Sequence, residues 1–209
     1  MTNARHSLVL AFDYRVPDAV RMWSLLQRRA GALAEIGAHH VVVYRAMRDA
    51  RRVLVTIGIR NREPIIDLLK SPVMFQWFDV AGVEDIPAVF AGEVVEKIDL
   101  HDRSAVDVPP RVVIAAMASV DDPTALVAQV HAGLERFKQA QVRKIWIYRA
   151  FDDDHEVMIL QEVSNVDTAL RWIDHPDAAA EWIARTGIGA YPAVFVGSLM
   201  NIMKIDARC

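Results

Sequence analysis

Two dipeptides bring together side chains that could do chemistry, Tyr44-Arg45 and Tyr148-Arg149. A tyrosine hydroxyl and a guanidinium beside an apolar cleft can orient a carbonyl or phenolate and stabilise developing negative charge. Both dipeptides sit in strand-like stretches, where neighbouring residues point to opposite faces. At most one member of each pair therefore lines any given cavity. The competing role is structural, with the tyrosines packed between sheets and the arginines at strand ends paired to acids. Aromatic residues in sheets are mostly packing, which favours that role. Trp146 alternates with Tyr148 and shares its side of the strand.

Other candidates are sparser. His175 stands directly before Pro176, where the matching position of the first half is Ser71, so this imidazole is specific to the second half. A lone histidine before a proline also serves as a helix cap or surface residue. His39-His40 and His131 lack a further ligand at metal spacing, and no metal is expected. Trp77, Trp172 and Trp182 fall in helical stretches, where core packing is the first expectation for each. The run Asp152 to Asp154 reads as a solvated hairpin turn. The sequence contains no G-x-G-x-x-G, Walker-type loop, G-x-S-x-G elbow or C-x-x-C, so nucleotide-driven chemistry, serine hydrolysis and thiol redox lack support.

The elements that hold these residues are duplicated. Val41-Val42-Val43-Tyr44-Arg45-Ala46 returns as Ile145-Trp146-Ile147-Tyr148-Arg149-Ala150, 104 positions later. Val9 and Val113, Asp18 and Asp122, Asn61 and Asn165, and Pro72 and Pro176 keep the same offset. Pro87-Ala88-Val89-Phe90 matches Pro192-Ala193-Val194-Phe195 at an offset of 105. A repeat of this length is the size of a small domain and too long for a solenoid unit. Two repeats are expected, residues 1–104 and 105–209.

Composition agrees with a packed protein. The 209 residues are 53% hydrophobic and 24% charged, which excludes wholesale disorder. The formal charge of −3 gives no field for nucleic acid, and Arg28-Arg29 and Arg51-Arg52 read as solvated surface. The one cysteine, Cys209, rules out an internal disulfide and fits a reducing compartment. No apolar run approaches the ~20 residues of a membrane span. The expectation is a cytoplasmic protein with no membrane partner.

Each half reads as β-α-β-β-α-β. In the first half a strand over 8–12 leads to a helix over 19–36, opened by Pro17-Asp18 and stopped by Gly37. A hairpin over 39–57 follows, then a helix capped by Asn61 and broken at Pro72, and a last strand over 88–98. Residues 101–110 are the linker. The second half repeats this, with Asn165 as cap, Pro176 restarting the helix through Ala184, Gly187 stopping it, and a final strand from Ala193 to about Ile205.

In the hairpin strands both alternating sets are apolar: Val41 and Val43 against Val42 and Tyr44, Ile145 and Ile147 against Trp146 and Tyr148. One face of a ferredoxin-like sheet lies under its helices. The other, if this apolar, must be covered too.

In this strand order, in the broken second helix ending at Trp77-Phe78 or Trp182, and in the Pro-Ala-Val-Phe start of each last strand, the chain resembles the dimeric α+β barrel superfamily in fused, tandem form. The resemblance covers nearly the whole chain and is architectural. It implies an α+β fold of two ferredoxin-like βαββαβ repeats packed sheet to sheet. It also implies a small apolar or aromatic ligand, as in antibiotic-biosynthesis-monooxygenase-like and EthD-like proteins. In such relatives a tryptophan from the second helix can line the pocket, which points to Trp77 and Trp182. Haem-binding members use a histidine of the helical layer, which points to His175. The expected ligand residues are Tyr44, Tyr148, Arg149, Trp146, His175 and Trp182, with no catalytic residue assigned. The function expected is cofactor-independent monooxygenation or isomerisation, with non-catalytic binding or a stress-associated role as the alternative and haem binding third. No cofactor is expected, and the fused halves are expected to act as an intramolecular pseudo-dimer, free to form homo-oligomers.

Overall fold

The computed structural model describes residues 8–100, 111–174 and 194–205, with backbone alone for 172–174. The expected linker over 101–110, the helix restart at Pro176 and the stop at Gly187 lie outside the described residues. The elements are β1 (Leu8–Arg15), α1 (Ala19–Arg28), α2 (Ala30–Glu35), β2 (Ala38–Ala46), β3 (Arg52–Ile59), α3 (Glu63–Leu69), α4 (Pro72–Ala81) and β4 (Ala88–Asp99). The second half supplies β5 (Val112–Ser119), α5 (Pro123–Ala132), α6 (Leu134–Gln139), β6 (Val142–Ala150), β7 (Glu156–Val163), α7 (Val166–Asp174) and β8 (Phe195–Lys204).

β3 pairs antiparallel with both β1 and β2, and β7 with both β5 and β6, while β4 pairs antiparallel with β6 and β8 with β5. Packing divides the chain into two compact units, residues 1–91 with 199–209, and residues 92–198. The division falls inside β4 and β8. Gly92 to Asp99 of β4 pair with β6, while Phe195 to Ser198 of β8 pair with β5. The far end of β8 is held to the first unit, where the Ile205 N–H donates to His39 O at 3.0 Å. The duplication is a property of the sequence, and the last strand of each repeat serves both units.

Within the first unit, β3 is flanked by β1 and β2. Phe12 opposes Val55 and Tyr14 opposes Val53 on one side; Val43 opposes Val55 on the other. Directly opposed residues share a face, so Phe12, Tyr14, Val53, Val55, Val41 and Val43 stand together. Phe78 of α4 packs on this set, which makes it the helix side. The other side carries Val9, Ala11, Val42, Tyr44, Leu54 and Thr56, all buried. In the second unit, the same register places Trp146, Tyr148, Met158 and Leu160 on the matching side.

The first helix of each half departs from expectation. A single helix over 19–36 was predicted, but Arg29 separates α1 from α2, and Gly133 separates α5 from α6 at the offset of 104. Asp18 caps α1 by accepting from Val20 and Arg21 N–H at 2.8 and 3.0 Å, and Asp122 caps α5 by accepting from Thr124 N–H at 2.8 Å. Of the two predicted asparagine caps, Asn165 accepts from Thr168 N–H at 2.9 Å. Asn61 is not the cap: α3 begins after Arg62, whose side chain makes no capping bond. Pro72 breaks the second helix as expected, and Gly82 ends it at φ 72°. No described helix is long and apolar enough to cross a membrane.

Candidate functional site

Tyr14 is the side chain that sequence reasoning missed. β1 aims it toward the helices, where the ring of Phe78 meets both Phe12 and Tyr14 edge-on at centroid distances of 6.0 Å. Tyr14 is 2% exposed. Its hydroxyl is buried, and among the described residues no hydrogen bond of standard geometry reaches it. Burial pushes its pKa well above the ordinary tyrosine value, with the neighbouring Trp77 indole acting weakly the other way. Arg29, at the break between α1 and α2, sets its guanidinium 5.9 Å from the centre of a Trp77 ring. A neutral phenol, three apolar rings and a cation held behind one of them therefore gather between β1 and α4.

Among the described residues this group occurs in the first half alone. At the offset of 104, Phe12, Tyr14 and Trp77 become Ala116, Ala118 and Glu181. Two alanines where the first half has two rings was the available signal, since a packing requirement shared by both halves would have kept the bulk.

The predicted residues are distributed as follows. Tyr44 is 1% exposed and stands on the first unit's sheet face away from the helices, beside Leu54. Tyr148 and half-buried Trp146 alternate along β6 on the corresponding face of the second unit, opposite Met158 and Leu160. Burial raises the Tyr148 pKa as it does that of Tyr14. Arg149 points to the other side of β6, where it donates to Glu93 at 2.9 Å and lies 3.6 Å from Asp154. The structure thus brings Trp146 and Tyr148 together and turns Arg149 away from them. His175 and Trp182 lie outside the described residues.

The side of the first unit that carries Tyr44 is more polar than its counterpart. Asp13 and Arg52 form a two-pronged pair there, Nε to Oδ1 at 2.8 Å and the second prong at 2.6 Å. His39 and His40 also lie on this side, with their Nδ1 atoms 2.8 Å apart. Among the described residues no group of three or more His, Cys, Asp or Glu converges as a metal cage.

No family model and no curated protein sequence matches the chain. Solved structures do. An anthrone oxidase-like protein is similar over 98% of this chain and 95% of its own, with a TM-score of 0.69 at 11% identity. A putative monooxygenase from Fusobacterium nucleatum is similar over 95% and 94%, with a TM-score of 0.55 at 10% identity. Chlorite dismutase from Candidatus Nitrospira defluvii is similar over 94% and 92%, with a TM-score of 0.56 at 12% identity. At these identities the likeness concerns the fold, and the fold is that of the dimeric α+β barrel proteins, with both ferredoxin-like repeats in one chain.

Proposed function

We propose that the chain handles a small apolar or aromatic molecule as a cofactor-independent monooxygenase, with the Tyr14 phenol as the hydrogen-bond donor to a substrate oxygen. The observation that carries this reading is a buried hydroxyl without an acceptor among the described residues, set among Phe12, Trp77 and Phe78. A donor in so dry a setting acts strongly on any oxyanion that forms beside it. The likeness in fold to an anthrone oxidase-like protein supports the choice of substrate class.

The reaction fits a ring ketone with an activated CH2. The ketone gives up one CH2 proton to water, which returns it later to the peroxide oxygen, and the oxygen of the resulting enolate takes the Tyr14 hydrogen bond. The enolate reduces O2 and forms a carbon–oxygen bond, giving a hydroperoxide. Loss of water then leaves a second carbonyl, so that CH2 and O2 become C=O and H2O. The substrate supplies all the electrons, and no cofactor is required. Trp146 and Tyr148 on the second unit are proposed as a second ligand-facing surface. Tyr44 and Arg149 keep the claim that their side-chain chemistry gives them, and His175 and Trp182 the one that the resemblance gives them.

Oxygen uptake with a panel of anthrone-like and catechol-like compounds tests the reading. Uptake above background that falls about 10²-fold in Tyr14→Phe is the expected result, the effect typical of one oxyanion donor. No uptake with any compound would sink the enzymatic reading. Quenching of tryptophan fluorescence by the same compounds would then favour the second reading, binding without catalysis, which rests on the lack of a nucleophile or acid–base pair near Tyr14 among the described residues.

A further inference from the structure

The His39–His40 pair is unlike anything among the described residues of the second half, and three features build it. First, β2 carries a bulge between Ala38 and His40, so two consecutive side chains leave the strand on one side. The rings lie with centroids 4.5 Å apart. Second, the residue opposite His40 is Gly58. A Cβ at that position would come within 2.6 Å of His40 Nδ1 and 2.7 Å of His39 Cε1. Both imidazoles lie across the glycine, and any larger residue would expel them. Third, the two Nδ1 atoms face each other at 2.8 Å.

The second half keeps the bulge and loses the rest. It has the same irregularity between Val142 and Lys144, but Arg143 and Lys144 replace the histidines and Glu162 replaces the glycine. Lys144 there lies 3.8 Å from Asp99. The bulge is common to both repeats, whereas the paired imidazoles and the glycine that admits them occur together in one.

We propose that His39 and His40 chelate one divalent transition-metal ion through their Nδ1 atoms, with the remaining coordination positions open to water or a small ligand. Two nitrogens at right angles around a metal, each at about 2.0 Å, stand about 2.8 Å apart. That spacing is already present. Right-angled nitrogen ligands suit the tetragonal geometry of Cu(II) or Ni(II) better than tetrahedral Zn(II), which would hold them wider apart. Without metal, one Nδ1–H is shared between the rings; with metal, each ring carries its hydrogen on Nε2. Both side chains are half-buried, so an ion can reach them. This inference is independent of the Tyr14 reading.

The test is titration of the full chain with Ni(II) by calorimetry and with Cu(II) by electron paramagnetic resonance. The expected result is one ion per chain with nitrogen ligands, weakened at least about tenfold in His39→Ala and in His40→Ala. The paired change His40→Lys with Gly58→Glu copies residues that the second half already folds with. It should abolish binding while leaving the thermal unfolding transition cooperative. Binding that survives in the double variant His39→Ala/His40→Ala would place the metal elsewhere and overturn the proposal. So would no binding by the unaltered chain.

Discussion

Gln141 holds at φ 57° the left-handed backbone conformation that Gly37 holds at φ 83° in the first half, 104 positions earlier. The surrounding bonds are the same at both places. Gly37 N–H donates to Ala34 O and its own O accepts from Arg60 N–H, both at 3.0 Å. Gln141 N–H donates to Lys138 O at 2.9 Å and its O accepts from Ser164 N–H at 3.2 Å. What differs is how the strain is met. Gln141 Oε1 accepts from Thr168 Oγ1 at 2.7 Å, and Ser164 Oγ donates to Gln141 O at 3.0 Å.

From this, Gly37→Ala and Gln141→Gly should behave unequally. At Gly37 a Cβ would meet nothing nearer than 3.8 Å, so only backbone strain opposes it. That strain should cost about 1–2 kcal/mol. Gln141→Gly relieves similar strain but loses a hydrogen bond contributing about 1 kcal/mol, so its net change should stay within about 1 kcal/mol of zero. Chemical denaturation at equilibrium measures both. Equal losses in the two variants would contradict the argument.

The same pair shows what sequence could and could not convey. The offset of 104 exposed the duplication, the β-α-β-β-α-β order and the break at Pro72, because these rest on local residue types. The split at Arg29 and at Gly133 was not legible, since the apolar stripe continues across both breaks. Asn61 and Asn165 look identical as caps in sequence, yet one caps and the other does not. The division of β4 and β8 between two units leaves no mark in their alternation. Tyr14 reads as packing, as a tyrosine in a strand does; its replacement by Ala118 in the second half is the one mark it carries in sequence, and its burial and missing acceptor are visible only in the structure. The bulge that turns His39 and His40 to one side is likewise a matter of register, which adjacent histidines in a strand do not announce.

A second prediction concerns Asp13 and Arg52, whose side chains are 14% and 18% exposed. At the offset of 104 they become Met117 and Glu156. Asp13→Met should lower stability by about 2–3 kcal/mol, somewhat under the cost of breaking a fully buried pair, because Arg52 loses the Asp13 carboxylate. Adding Arg52→Gln should recover part of the loss. A denaturation midpoint unchanged in Asp13→Met would show that the pair contributes nothing measurable.

Glu156 yields a third prediction through its titration. Partial burial raises its pKa above the ordinary glutamate value, and Asp152 and Asp153 add to the rise. Between the unfolded and folded pKa values the folded state holds the extra proton. Stability therefore falls as pH rises through that window, starting from the ordinary value of 4.5. Glu156→Gln should raise the unfolding temperature at pH 7 and leave it nearly unchanged at about pH 4, where the glutamate is largely protonated in both states. Scanning calorimetry at the two pH values checks this. A variant less stable than the parent at pH 7 would mean that the carboxylate has a favourable partner.

The last prediction separates function from packing at Tyr14. A buried hydroxyl that donates to no acceptor among the described residues, and meets only the Trp77 indole N–H, gains little on folding and loses its hydration, so deleting it should not weaken the fold. Tyr14→Phe is expected to leave stability unchanged or raise it by up to about 1 kcal/mol, with Phe12 and Phe78 still packing against the ring. In the same variant the oxygen-uptake rate should fall about 10²-fold, so activity and stability move in opposite directions. Tyr14→Ala tests the packing alone. It removes the ring, and it should cost about 3–5 kcal/mol, as for large aromatic-to-alanine changes in cores. If Tyr14→Phe instead lost more than about 2 kcal/mol, the hydroxyl would have to be bonded within the fold. A group committed in that way has no hydrogen bond left to give a substrate.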